Sequence, residues 1–580
     1  MAALTWRKWP DILIDYGMQL YLPWRISQGS VLYRDVMYLT GGPLSQYYSA
    51  ALFKLFGASL LTLVISNLTI TAGLLVLTYR RFLEVADAWT ATTICLGIVL
   101  VFAFGNYGDI GNYNFITPYC HEVFHGVVLS ILAVALLASW ADKERIGFAM
   151  GAGFCGGLGF MTKPEVFLAL AISVAAAFVL YCVTKRRVAF AARSLAAFLV
   201  AAMVPLLGFL LYFHAFEGWG ASLRSVGYAW VPLLESSAKS NAYYRWCLGL
   251  DMPAYHIRML LIHFVVVVAL MGGYAFLFRR KMDSRTNRLI LLVAVVPLLA
   301  LASRFDWTQC GRALPLLTVG LCIILCVKYK ELSLDKAPVF PLLWSVFALA
   351  LLAKLGVFSR VWHYGFILAM PAFVSVIYLL LWLVPKLLEK YGVQRQVFRG
   401  TVTLVLFIGF LFLFMQSQLY YWPKTLAVGS GSDVILVADQ ERTPAGAAIR
   451  AALPWIEKNI PSDATLAVLP EGVMVNFLSR RTNPTHHLVW NPVELAAFGQ
   501  ANMTEDFQKH SPDYIMLVHR DAAEYGVKLF GQSAEFGLEL MQWIQTHYEP
   551  VYLIGEEPLQ KPSAFGIKIL KRIPVKGPTS

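Results

Sequence analysis

The feature that most constrains this chain is a series of long apolar runs. Twelve stretches can be read, at roughly residues 58–79, 89–105, 121–140, 146–162, 165–184, 189–213, 258–278, 289–303, 312–328, 337–353, 363–385 and 399–420. Runs of about 17–25 apolar residues are long enough to cross ~30 Å of hydrocarbon as helices. A helix satisfies its own backbone polar groups, so such runs span as helices and not as open strands. Composition agrees, with 58% of residues apolar and 14% charged, against about 45–50% and about 25% in soluble domains. The expectation is an all-α polytopic membrane bundle and not a large soluble core.

The net charge of +13 would suit a nucleic-acid partner, but its distribution excludes that class. The basic residues lie mainly in short loops between apolar runs. Counted over alternate loops, Lys and Arg number 20 in one set, from Arg80–Arg81 to Arg399, and 8 in the other. The richer set is expected to be cytoplasmic. The other faces outward, into the periplasm if the membrane is a bacterial inner membrane. Asp15 to Leu44, the 214–257 loop and everything after about 422 are then extracytoplasmic. Only fourteen residues precede Asp15, too few to cross a bilayer. Either a first helix lies upstream of Met1, the preferred expectation, or the N-terminus lies flat at the interface. "MAALTWRKWPDILID" has no apolar core of signal-peptide length. The eight cysteines are scattered, with no CxxC and no zinc-type spacing.

Three regions follow: residues 1–57 as a first extracytoplasmic loop, 58–421 as the membrane domain and 430–580 as a C-terminal extracytoplasmic domain. In the last, "PAGAAIRAALPWIEKNI" and "AEFGLELMQWIQTHY" read as helices. "ATLAVLP", "PDYIMLVHRD", "YEPVYLIGE" and "FGIKILKR" read as strands, giving a small α/β domain. It has no Gly-rich phosphate loop. His486 and His487 are adjacent, poor spacing for a shared metal, and read as an exposed loop pair.

Ionisable residues in a membrane protein are functional candidates by default, and here they gather at the outward face. Asp15, Arg34 and Asp35 lie in the first loop. Asp109, His121, Glu122 and His125 lie around "GNYGDIGNYNFITPYCHEVFHG". Lys163 and Glu165 lie in "FMTKPEVF", Arg304, Asp306 and Arg312 in "SRFDWTQCGR", and Lys354, Arg360 and His363 in "AKLGVFSRVWHYGF". Carboxylates and cations on one face suit a reaction that needs a base and stabilises an anionic leaving group. The i, i+4 histidines 121 and 125 share a helix face, and satisfied helix-end histidines are the simpler reading.

"LYLPWRISQGSVLYRDVMYLTGGPLSQYYSAALFKLFG" (residues 20–57) resembles the first external loop of the GT-C glycosyltransferases. The likeness is to the family-39-like branch of protein O-mannosyltransferases and the lipid A aminoarabinose transferase. The matching order is an acid (Asp15), a "YrD" segment (Tyr33-Arg34-Asp35) and a Pro-Leu (Pro43-Leu44). "GLGFMTKPE" (157–165) resembles the family's short helix ending in Thr-Lys. The resemblance covers about residues 11–420. It implies a sugar moved from a polyprenyl-phosphate carrier to an acceptor hydroxyl of a lipid, glycan or protein on the extracytoplasmic face, with inversion. It implies Asp15 as the base, and Asp35 as a second catalytic acid that orients the acceptor or holds a divalent metal; no other cofactor is implied. Many relatives place a phosphate-binding lysine just before the Pro-Leu, and this chain has Gly42 there. The donor-phosphate contact is therefore expected from Lys163, Arg304, Arg312, Lys354 and Arg360, with Arg34, Glu165 and His363 supporting the acceptor or the loop. The rival readings are a transporter or flippase for a lipid-linked sugar, and a scaffold that keeps the fold without activity.

Overall fold

The structure is a computed structural model. It describes residues 1–574 apart from Pro10, Asp109, Asn112, 235–241, 279–303, 332–338 and Tyr364, and statements below refer to those residues. The expected 289–303 span, Asp109 and Tyr364 lie outside them.

The opening segment is more ordered than a loop. Helix α1 (Met18–Ser27) is buried nearly all round, and α2 (Pro43–Phe56) starts on a proline and ends at Gly57 with φ 88°. Proline suits the first helical position because its missing N–H would be unpaired there. The long helices follow: α3 (Leu60–Val85), α4 (Ala88–Ala103), α5 (His121–Lys143), α6 (Ile146–Phe160), α7 (Pro164–Lys185), α8 (Val188–His214), α9 (Pro253–Leu277), α10 (Leu314–Glu331), α11 (Val339–Ala353), α12 (Gly365–Glu389) and α13 (Arg395–Tyr421). Eight helices are long and apolar enough to cross a membrane, and α4, α6 and α11 are shorter apolar helices.

Helix α12 is buried along its length and forms the centre of the bundle; α9 exposes most of its side chains, as a lipid-facing helix does. Helices α6 and α8 meet at backbone distance. A Cβ on Gly153 would lie 2.1 Å from the Phe198 carbonyl oxygen, and one on Gly157 2.1 Å from that of Ala202. Small residues four apart are what permit such an approach in a membrane.

The chain then forms an α/β domain at one end of the bundle. A hairpin, β1 (Lys424–Val428) with β2 (Ile435–Ala438), precedes helix α14 (Pro444–Asn459). The main sheet runs in the order β3 (Leu466–Leu469), β4 (Tyr514–Val518), β6 (Gly566–Arg572), β5 (Tyr548–Gly555). The pair β3–β4 is parallel; the other two pairs are antiparallel. Helices α15 (Met474–Ser479), α16 (Pro492–Phe498), α17 (Gln500–Lys509) and α18 (Leu538–His547) complete it. The four expected strands and two expected helices are present; the hairpin and α15 to α17 were not legible.

Domain and bundle are bonded to each other. Asp433 accepts from Leu60 N (2.8 Å) and from the Arg480 guanidinium (2.6 Å), which also donates to the Ala58 carbonyl (2.9 Å). Phe477 on α15 stacks on Phe53 of α2 and meets Trp24 of α1 edge-on. The first segment is thus clamped between bundle and domain, which is why it forms helices. All eight cysteines are free thiols.

Candidate active site

Asp15 stands in a strained turn. Asp11 accepts from the Leu13 and Ile14 amides at 2.7 and 2.8 Å, an Asx-type turn that reverses the chain. Asp15 then takes φ +59°, the left-handed region that non-glycine residues adopt rarely. Gly17 follows against the domain, where a Cβ would lie 2.2 Å from Met474 N; only glycine fits. Asp15 is exposed as a residue, but its carboxyl is surrounded by protein groups. The Tyr119 hydroxyl donates to its Oδ2 at 3.2 Å. Burial raises the Asp15 pKa, while Tyr119 and Arg520 pull it back.

The domain supplies the rest of this acid's surroundings. Glu471, just after β3, is buried and accepts from Arg520 Nε at 3.2 Å; Arg520 also pairs with Glu524. Burial pushes the Glu471 carboxyl up to about 7 against the pull of Arg520. Glu494 rises to about 8 through burial and the nearby charges of Asp15 and Glu471. Like charges brought this close raise one another's carboxyl pKa.

Below this cluster lies a second one. Gly42 N donates to the Thr162 carbonyl (2.8 Å) and Leu44 N to that of Met161 (3.2 Å). A Cβ on Gly42 would lie 2.2 Å from Met161 O, so no side chain fits there. The Lys163 ammonium instead reaches the same turn, bonding the Thr40 carbonyl and lying 4.0 Å from Oε1 of fully buried Glu122. Tyr38 donates to that oxygen at 2.6 Å and accepts from Gln19 at 2.8 Å. Glu122 Oε2 has no partner among the described residues.

Two expected cations come together. The Arg312 and Arg360 guanidiniums lie over the Phe358 ring at 4.9 and 3.6 Å, and Arg360 also lies 4.4 Å from the Trp362 ring. Among the described residues no carboxylate lies within ion-pair distance of either. Burial and the charge of Arg312 lower Arg360 to about 10. Ring contacts then lead toward Asp15: Trp362 to His363 at 5.1 Å, His363 to Tyr113 at 5.7 Å, and Tyr113 to Tyr119 at 5.2 Å. Burial and Arg360 lower His363 to about 4, so it is a neutral imidazole at pH 7.

The remaining candidates lie apart. Arg304 and Lys354 are exposed, and Glu165 sits in the first turn of α7, where an acid suits the helix dipole. Asp35 forms a two-point ion pair with Arg34 (2.7 and 2.8 Å) and accepts from Val31 N at 2.7 Å. Both its oxygens are thereby engaged, a poor arrangement for a metal ligand, and the pairing lowers its pKa. His121 contacts Ser49 and Asn67, and His125 Nδ1 contacts Ser45, while His125 Nε2 is buried with no partner among the described residues. His486 and His487 are half-buried, not exposed. His486 pairs with Asp506, and its proximity to Asp506 and His510 was not visible in a spacing read along the chain. Tyr119, Glu471 and Arg520 also carried no signal, because nothing in their local sequence distinguishes them from ordinary core and surface residues.

An apolar groove lined by Leu100, Leu404, Phe407, Ile408, Leu411 and Phe414 opens between α4 and α13. Its α13 wall rises past Phe412, stacked on Trp307 at 5.8 Å, to Gln416, which donates to Asp306 at 3.4 Å. The groove thus runs toward the segment that carries Arg312.

No protein-family model matches the chain, and no curated protein matches its sequence. Among solved structures it is similar to ArnT from Cupriavidus metallidurans bound to undecaprenyl phosphate, with TM-score 0.53 and 10% identity over 98% of this chain and 95% of that one. It is also similar to apo ArnT from the same organism (TM-score 0.42, 12% identity, 97% and 94% covered). A third is the Archaeoglobus fulgidus oligosaccharyltransferase in complex with zinc and sulfate (TM-score 0.45, 12% identity, 87% and 63% covered). The last two scores are too low to bear on the argument. The first is a likeness of fold, over nearly the whole of both chains.

Proposed function

We propose, from the premise that the chain has the GT-C fold, that it is an integral-membrane glycosyltransferase with its site where the bundle meets the α/β domain. The substrate is a sugar on a polyprenyl phosphate, and the acceptor is a hydroxyl. Asp15 takes the acceptor proton as the oxygen attacks C1 of the sugar. The C1–O bond to phosphate breaks on the opposite side, and the carrier phosphate leaves with the electron pair. Arg312 and Arg360 stabilise that leaving phosphate, since charge-assisted bonds to a guanidinium are strong and planar. Lys163 holds the turn that Gly42 packs. The groove between α4 and α13 takes the prenyl tail, and the site faces the extracytoplasmic side.

The observation that carries this reading is Asp15 itself. An acid held in a left-handed turn, bonded by the Tyr119 hydroxyl and raised in pKa by its surroundings, has what a general base needs. Support for the cations is that two guanidiniums share one aromatic support without an acid of their own.

The test is transfer of a labelled sugar from a short-chain polyprenyl-phosphate donor to envelope extract. Wild type is compared with Asp15→Asn at matched folding. A loss of about 10²-fold or more in the variant, the scale of a general base, supports the reading. Equal rates move the base to another acid. Silence from the wild type across several sugar donors puts the transporter and scaffold readings ahead.

A further inference from the structure

Outside the candidate active site, among the described residues, one cluster of side chains converges as metal ligands do. Asp506 and His510 lie four apart at the end of α17, a spacing that puts both on one helix face. His486 reaches them from the segment between α15 and α16. Ligating atoms of the three lie within 4.8 Å of one another. The two imidazole Nδ1 atoms both address a single oxygen, Asp506 Oδ1, with that of His510 at 2.9 Å and that of His486 closer.

We propose that His486, Asp506 and His510 form a site for one divalent first-row transition ion, bound through His486 Nδ1, Asp506 Oδ1 and His510 Nδ1.

Four features support it. Two imidazoles and a carboxylate are the donor set that zinc and its neighbours prefer over magnesium or calcium. Ligands about 2.0–2.2 Å from a tetrahedral ion sit roughly 3.3 Å apart, so a small opening of the present triad admits one. The carboxylate is oriented from behind, since the His486 amide donates to Asp506 Oδ2 at 2.9 Å, the outer-shell support that tunes metal ligands. The site is also accessible: the Asp506 side chain is largely buried, while His486 and His510 are partly open, leaving a path in and a position for water. Occupancy has a structural consequence, because the His486 carbonyl accepts from Met37 N at 2.9 Å. An ion there fastens the first segment to the domain. This site is independent of whether Asp15 is a base.

The experiment uses the full chain in detergent, purified without a histidine tag and stripped with chelator. It is equilibrated with Zn²⁺ alone, and metal per chain is measured by atomic emission. One ion per chain in the wild type, falling to none in His510→Gln and Asp506→Asn, supports the site, as does a Zn²⁺-induced rise in Tm confined to the wild type. A wild type that takes up no zinc overturns it. So does a His510→Gln chain that takes up as much as wild type. Cobalt-loaded wild type gives a check that needs no variant: visible d–d bands without thiolate charge transfer are expected. A thiolate band would assign the ion to the free cysteines and overturn the proposal.

Discussion

The Tyr119 hydroxyl donates to Asp15 Oδ2 at 3.2 Å, tying the acid of the first segment to a residue two positions before α5. The bond favours the charged carboxylate and opposes the burial that disfavours it. As a base, Asp15 must be ionised, so activity falls as pH drops through its raised pKa. Removing the hydroxyl raises that pKa further. Tyr119→Phe is therefore expected to move the acidic limb of the pH–rate profile upward, with the loss of kcat largest on the acidic side. A profile superimposed on the wild type would mean that Tyr119 does not tune Asp15.

Asp35→Asn is expected to behave differently from Asp15→Asn. Asp35 is committed to Arg34 and to the Val31 amide, so its loss loosens the turn. Transfer should fall by roughly tenfold or less, against about 10²-fold for Asp15→Asn, with a lowered Tm from a broken partly exposed pair. An Asp35→Asn chain with wild-type Tm but no transfer would return Asp35 to the chemistry.

Arg360→Ala removes one of the two guanidiniums that share Phe358. The KM for the polyprenyl-phosphate donor is expected to rise by about tenfold or more, with the acceptor KM unchanged. Arg360→Lys should recover only part of the loss, since an ammonium lacks the planar fork. Steady-state kinetics with each substrate varied in turn separates the cases. Equal rises in both KM values would argue for a structural role.

Glu494 makes the stability of the fold depend on pH. Its carboxyl titrates near 4.5 when unperturbed and at about 8 in the fold. The folded chain holds a proton that the unfolded chain releases, so this group's contribution is fully present below about 4.5 and is lost as pH rises through about 8. Glu494→Gln cannot lose it. The variant should match wild type in Tm near pH 4 and exceed it near pH 8.5. Thermal unfolding in detergent at the two pH values decides it, and a variant less stable at both would mean the ionised carboxylate is what the fold holds.

Much of the architecture was legible along the chain because hydropathy acts locally. An apolar run of spanning length has one low-energy arrangement in lipid, so the helices from Leu60 to Tyr421 follow their runs closely. Strands such as Tyr514–Val518 declared themselves by short apolar runs in the same way. The opening segment was harder. Its acids and its Pro43-Leu44 were readable, but not that "MQLYLPWRIS" would be a buried helix, because its burial comes from α15, hundreds of residues on.

The sequence by itself determined the membrane bundle, the α/β domain after Trp422 and the gathering of charges between particular helices, since each depends on neighbours a few residues apart. Only the tertiary structure decided which of those charges meet. It joined Arg312 to Arg360 across Phe358, set Lys163 in the turn that Gly42 leaves free of side chain, and committed Asp35 to Arg34. It also brought Glu471 and Arg520 over Asp15. These contacts are long-range, and in a low-dielectric recess the few ångströms they fix decide whether a carboxyl holds or yields its proton.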